Sequence, residues 1–214
     1  HGKTTTTAMI SLMLEVNGWD PTIVIGGDLK QIGSNAKLGQ GKYLVAEADE
    51  SDGSFLKLFP KYAVITNIEN DHLDYYRSVR NIVNAFVKFV EQIPEDGFAV
   101  ICLDNQELVK IKNTVPYHYV TYALHGGEAD YTAGNFSFAG TGSRCDVFYR
   151  KEKIGVLELN VPGKHNISNA LAALATGMEL GLTFSQAAEG LKQFTGAKRR
   201  FEFIDRVEGV TIVD

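Results

Sequence analysis

A chain of 214 residues is long enough to bury around 70% of its unfolded surface, as one large domain or two small ones. Its 44% hydrophobic and 22% charged residues exclude a disordered or membrane-spanning protein, and no apolar run approaches the roughly 18 residues that cross a bilayer. The net charge of −5 is the wrong sign for a sequence-independent nucleic-acid binder, so small molecules are the expected partners, with no nucleic acid and no membrane insertion. The start does not resemble a signal peptide, and the chain is expected to stay where it is made. Cys102 and Cys145 lack C-x-x-C spacing and are expected as buried free thiols. The chain opens in mid-motif at His1-Gly2-Lys3-Thr4 and stops in an apolar run, which reads as an excised fragment.

Taken in chain order, the first element is a helix from just after Lys3, with Met9, Leu12, Met13 and Val16 at helical spacing and Asn17-Gly18 as its stop. The runs 22–25, 43–46 and 63–66 are short, continuous and partly β-branched, as buried parallel strands are. Residues 79–92 place Ile82, Val83, Phe86, Phe89 and Val90 on one helical face and stop before Pro94, and 98–103 read as another strand. This alternation predicts an α/β fold with an open, mainly parallel sheet flanked by helices. Over about 117–160 the pattern changes to short strands with Gly-rich breaks, at 131–138, 145–149 and 153–159, and predicts a small antiparallel β subsheet. Residues 166–180 return to Ala-rich helix, and Thr183-Phe184-Ser185-Gln186 opens a second helix with a capping-box pattern. The expected organisation is one domain over 1–214 carrying that subsheet.

Gly2-Lys3-Thr4 before a helix has the form of a P-loop tail, in which backbone N–H groups cradle phosphate, Lys3 supplies a point charge and Thr4 offers a hydroxyl to Mg²⁺. A polar helix start with Thr as its cap has about even odds. The run Thr4–Thr7 favours nucleotide, because β-branched polar residues suit a first turn poorly unless their hydroxyls are used. Glu47 is the first residue past the apolar run 43–46 and should enter the crevice as a metal-holding carboxylate, whereas Asp49, Glu50 and Asp52 read as a solvated acidic turn. His72, between Asp71 and Asp74 after the run 63–66, is a candidate metal or phosphate ligand; His118 and His125 have no such neighbours and are expected to be structural. Asn166 and Asn169 share a helix face and can present amides to a base, although Asn166 or Ser168 may equally serve as an N-cap. Arg200, in Gly196-Ala197-Lys198-Arg199-Arg200-Phe201-Glu202, can reach phosphate.

Together H-G-K-T-T-T-T, E-A-D-E-S-D-G-S-F, T-N-I-E-N-D-H-L-D, P-G-K-H-N-I-S-N-A-L-A-A and G-A-K-R-R-F-E, in this order, resemble the central ATP-binding domain of the Mur ligase family over the whole chain. The resemblance implies a P-loop-type fold and the bacterial cytoplasm, with ATP and Mg²⁺ as cofactors. It implies an amide-forming ligase of peptidoglycan precursor synthesis, whose flanking domains for the UDP portion and the incoming amino acid lie outside this chain. By resemblance, Gly2, Lys3, Thr4 and Thr5 bind the phosphates, Thr4 with Glu47 holds one Mg²⁺, and His72 is the ligand of a second. Lys3, Glu47 and His72 are then the catalytic set. Asn169, with His165 and Asn166 beside it, corresponds to the adenine-binding group, and Arg200 to a phosphate-contacting arginine. A carbamylated lysine found in sister ligases has no confident counterpart here, Lys88 included.

Within the family, His1 and E-A-D-E-S-D-G-S-F point to the member that joins L-alanine to UDP-N-acetylmuramate through an acyl phosphate. The alternatives are the member that adds a tripeptide to the same acceptor, and a P-loop switch or kinase outside the family. The isolated segment is expected to be inactive in ligation.

Overall fold

The computed structural model describes residues 1–29, 33–125, 127–196, 203–207 and 210–213, the last two stretches by backbone alone. In chain order the elements are α1 (Lys3–Val16), β1 (Thr22–Leu29), β2 (Ser34–Lys37), β3 (Leu44–Ala46), β4 (Tyr62–Ile65), α2 (Leu73–Tyr76), α3 (Val79–Val90), β5 (Phe98–Cys102) and α4 (Gln106–Ile111). They continue with β6 (His118–Ala123), β7 (Tyr131–Ala139), β8 (Gly142–Tyr149), β9 (Glu152–Leu159), α5 (Lys164–Glu179), α6 (Phe184–Lys192), β10 (Phe203–Val207) and β11 (Val210–Val213). The chain divides into two compact units: His1 with Ala48–Gly134 and Asp146–Ile154, and Gly2–Glu47 with Asn135–Cys145 and Gly155–Asp214.

In the unit that begins at Gly2, α1 is buried along Thr4–Leu14, the condition of a helix covered on every side. It packs on α5, α6, β1 and β3. The helices approach closely because glycines face Met13: a Cβ on Gly177 would lie 2.7 Å from Met13 Cε, and one on Gly190 would lie 2.8 Å from Met13 Cα. Helix α5 supplies the small buried side chains Ala170, Ala172, Ala173 and Ala175, and α6 is held by the expected capping box between Thr183 and Gln186. Strand β1 lies between β2 and β3, parallel to β3 and antiparallel to β2.

In the unit that begins at Ala48, β5 is buried at every position and pairs parallel with β4 and β6. That is why Phe98–Cys102 reads as an uninterrupted apolar run. Helix α3 closes over Phe55, whose ring centroid lies 5.4 Å from Phe86 and 5.0 Å from Phe89.

The sheet order β4-β5-β6-β7-β8-β9 gives the expected α/β class with one relocation. The segment that begins near 117 does not open a subsheet: β6 continues the parallel ladder, and β6 and β7 also pair parallel through Tyr122↔Tyr131. The antiparallel part is β7-β8-β9, joined by the two-residue turns 140–141 and 150–151. Among the elements additional to those expected are α2 and two others. Strand β2 carries the polar sequence Ser-Asn-Ala-Lys, and α4 is a short crossover whose N-cap Asn105 accepts from Leu108 N–H at 3.1 Å.

Candidate functional site

In the unit that begins at Gly2, the N-terminus of α1 is prepared for an anion. Gly2 adopts φ 83°, a left-handed conformation that favours glycine, and no side chain caps the helix or places an acid in its first turn. Lys3 and Thr4 follow directly, and the positive end of the helix dipole adds to the lysine charge.

Thr4 Oγ1 donates to Glu47 Oε1 at 2.8 Å. The second carboxylate oxygen, Oε2, accepts from Gly26 N–H at 2.7 Å. These hydroxyl and carboxylate oxygens are the hard donors Mg²⁺ takes, and adjacent ligands of an octahedral Mg²⁺ at about 2.0–2.1 Å stand about 2.9 Å apart, close to the observed spacing. The residues present fit the ion. Thr5 is buried in the same turn, and of the threonine run Thr6 has a buried hydroxyl without a partner among the described residues. The use of hydroxyls expected from that run holds for Thr4 and not for Thr6.

The helix α5 brings its polar start to the same unit. Asn169 is 8% exposed, and its amide makes no hydrogen bond among the described residues. It lies against the phosphate-type turn, since a Cβ on Gly2 would stand 2.5 Å from Asn169 Oδ1. The Asn166 amide Nδ2 donates to Pro162 O at 2.7 Å, which leaves its Oδ1 as the open atom. Asn166 is therefore not the cap of α5; that position is Gly163, and it has no side-chain cap. His165 is exposed and folds back over Gly163, whose Cβ would be 2.7 Å from His165 Cε1. Lys164 rests over the Phe136 ring at 5.4 Å. Arg200 lies outside the described residues.

The unit that begins at Ala48 carries His72. Its backbone is left-handed, φ 57° and ψ 34°, at the cap of α2; a non-glycine residue held there costs of order 1–3 kcal/mol and persists where the surroundings fix it. His72 Nε2 stands 3.9 Å from Glu50 Oε1. The turn before it is organised rather than merely solvated: Asp49 Oδ1 accepts from Ser51 N–H and Asp52 Oδ1 from Ser54 N–H, both at 2.9 Å. The bond from Ser54 lowers the Asp52 pKa. Tyr76 OH donates to the Glu50 carbonyl, and burial first, then the charges of neighbouring groups led by Tyr75 and Glu50, push this phenol up to about 12.

Three further residues of this unit were given no role of their own in the sequence. The His1 carbonyl accepts from Thr66 Oγ1 at 2.7 Å and from Asn67 Nδ2 at 2.8 Å. A Thr-Asn pair directly after an apolar strand was the available signal. Likewise Asn105 Nδ2 donates to Ile68 O at 3.0 Å, tying the loop that carries His72 to the start of α4. His118 sits edge-on to Phe98, centroids 6.4 Å apart, in keeping with a structural role. Neither cysteine forms a disulfide and both are buried, as expected.

Comparison with known proteins follows the same residues. The family model for the Mur ligase middle domain matches residues 1–177. A UDP-N-acetylmuramate–L-alanine ligase of Pelotomaculum thermopropionicum is 56% identical over 214 residues, covering 100% of this chain and 46% of that protein. The solved UDP-N-acetylmuramate–alanine ligase of Thermotoga maritima matches with a TM-score of 0.88 at 30% identity, over 99% of this chain and 47% of that one. The UDP-N-acetylmuramate:L-alanyl-γ-D-glutamyl-meso-diaminopimelate ligase of Neisseria meningitidis matches with a TM-score of 0.82 at 28% identity, over 93% of this chain and 65% of that one. The chain spans about half the length of the curated relatives it matches.

Proposed function

This chain belongs to the Mur ligase family, and we propose that it is the ATP-binding part of a bacterial cytoplasmic ligase that joins L-alanine to UDP-N-acetylmuramate in peptidoglycan precursor synthesis. The observation that carries the reading is the Thr4–Glu47 pair, 2.8 Å apart, beside an uncapped helix N-terminus.

In this reading the first-turn N–H groups of α1 and the Lys3 ammonium receive the β- and γ-phosphates of ATP, with Gly2 and Thr5 shaping the turn. Thr4 and Glu47 would hold one Mg²⁺ and His72 would be the ligand of another, and bound Mg²⁺ would supply positive charge against the acceptor carboxylate and the γ-phosphate. The carboxylate oxygen attacks phosphorus as the bond to the β-phosphate oxygen breaks, giving an acyl phosphate and ADP. The alanine amine then attacks the acyl carbon, phosphate leaves and the amine loses a proton. Asn169, with Asn166 Oδ1 and His165 beside it, takes the adenine edge, and Arg200 a phosphate. Family membership sets aside the switch-or-kinase reading.

The tripeptide-adding ligase is the second reading, because the 28% identity to the Neisseria structure is little below the 30% to the Thermotoga one; the 56% identity to the Pelotomaculum protein weighs for L-alanine. The test is ADP release by the natural protein that carries these residues, given ATP, Mg²⁺ and UDP-N-acetylmuramate with either L-alanine or L-alanyl-γ-D-glutamyl-meso-diaminopimelate. Release with alanine alone is expected, and release with the tripeptide alone overturns the reading.

A further inference from the structure

We infer that Gly26 is a positioning residue for Glu47: its N–H fixes one carboxylate oxygen, and its missing side chain leaves the space in which the carboxylate sits. The inference rests on the proposed metal role of Thr4 and Glu47 and adds to it what aims the carboxylate.

The parallel ladder between β1 and β3 ends at Val24↔Ala46, and Glu47 N–H makes the last bond of that run, to Val24 O at 2.9 Å. Beyond Ala46 strand β3 has ended and offers β1 no further ladder partner, and on its other edge the pairing of β1 with β2 shifts register between Val24 and Leu29. A backbone N–H released from the ladder needs another acceptor. Gly26 N–H finds it in Glu47 Oε2 at 2.7 Å, so the side chain of Glu47 takes the place of the next strand residue. With Oε2 committed, Oε1 is the oxygen turned to Thr4 Oγ1. A charge-assisted bond of this kind holds a carboxylate in one rotamer where a solvated glutamate would sample several.

Space makes the same demand. A Cβ on Gly26 would lie 3.0 Å from Glu47 Oε2, 3.2 Å from Cδ and 3.3 Å from Oε1, so the carboxylate would have to give way by a few tenths of an ångström. Gly26 does not have a left-handed φ, and alanine there is not strained in its backbone. The nearest atoms that crowd it are those of the carboxylate. The next residue, Gly27, does the same for the other oxygen ligand, since its Cβ would meet Thr4 Cγ2 at 3.3 Å.

The experiment measures Mn²⁺ affinity by electron paramagnetic resonance with a non-hydrolysable ATP analogue, alongside metal-free ADP affinity and the melting temperature, for the parent chain, Gly26→Ala and Glu47→Gln. Groups that orient metal ligands typically change metal affinity about 10–100-fold. Gly26→Ala is expected to weaken Mn²⁺ about tenfold while ADP affinity and melting temperature stay at parent values. If Glu47→Gln leaves Mn²⁺ affinity unchanged, the metal reading itself is wrong. If Glu47→Gln weakens Mn²⁺ and Gly26→Ala does not, the metal reading stands and the positioning role of Gly26 falls. Parallel losses in ADP affinity and melting temperature would make Gly26 merely structural and overturn the inference. Should Gly26→Ala not fold, hydrogen exchange in Glu47→Ala reads the bond from its other end: the Gly26 amide is expected to lose protection, and unchanged protection overturns the inference.

Discussion

Asn169 is 8% exposed, and its amide makes no hydrogen bond among the described residues, so both its polar atoms remain available to a ligand. A primary amide offers one acceptor and one donor, which match the amino group and ring N7 of adenine, whereas guanine presents two acceptors on the same edge. ATP is therefore expected to bind this chain at least about tenfold more tightly than GTP, a difference of about 1.4 kcal/mol. Asn169→Ala should remove the preference more than it removes affinity, and calorimetric titrations that leave the ATP-to-GTP ratio unchanged in the variant would take adenine away from this residue. Glu47 and His72 were legible as candidates because Glu47 stands directly after an apolar strand and His72 in the polar loop that follows another, where open α/β sheets place their ligands. Gly26, Thr66 and Asn67 were not. Their parts are played through backbone atoms, and a sequence does not say which N–H or carbonyl a fold leaves without a partner. The left-handed backbone of His72 was equally invisible, since nothing in N-D-H-L-D distinguishes it from an ordinary helix start.

At the scale of elements, periodicity located α1, α3, α5, α6, β4 and β5 to within a few residues, because each buries one clear face or run. Strand β2 escaped because Ser-Asn-Ala-Lys has no apolar pattern: it is held by its ladder to β1, and Lys37 Nζ, 2.6 Å from Glu15 Oε1 and 2.7 Å from Asp20 Oδ1, joins it to the end of α1 and the turn after it. This cluster makes a pH prediction. The bond to Asp20, and then the one to Glu15, raises the Lys37 pKa above 10.5, and the bond from Lys37 lowers that of Asp20 below 3.8. A depressed carboxyl stabilises above its unfolded pKa and loses that contribution as pH falls through the folded one. A raised ammonium stabilises below its unfolded pKa and loses it as pH rises through the folded one. The groups are well solvated, so the effect is small and salt-sensitive. Lys37→Met is expected to lower the melting temperature by a constant amount across neutral pH, with the difference from the parent shrinking below about 3.8 and above about 10.5. A difference that stays level at both extremes would assign Lys37 a packing role instead.

For the whole molecule, the α/β class was legible because alternating apolar runs and amphipathic segments leave few other folds, and the family because several weak motifs occur in one order. The place of β6 was less so, since a strand reads the same whether its neighbour is parallel or antiparallel. The last prediction follows from extent. These 214 residues correspond to 46% of the Pelotomaculum ligase, and the groups proposed above for phosphate, metal and adenine would all address ATP. Amide formation also requires the acceptor carboxylate and the alanine amine to be held within reach of the transferred phosphoryl and acyl groups. Such positioning is worth about 7–11 kcal/mol in well-oriented reactions, or about five to eight powers of ten in rate. The 214-residue chain alone, given ATP, Mg²⁺, UDP-N-acetylmuramate and L-alanine, is therefore expected to bind nucleotide and yield no UDP-N-acetylmuramoyl-L-alanine detectable by mass spectrometry. Product formed at a rate near that of the natural protein would show that acceptor and amine are both bound by residues of this chain, and the search for their sites would return to the loops that carry Glu47 and His72.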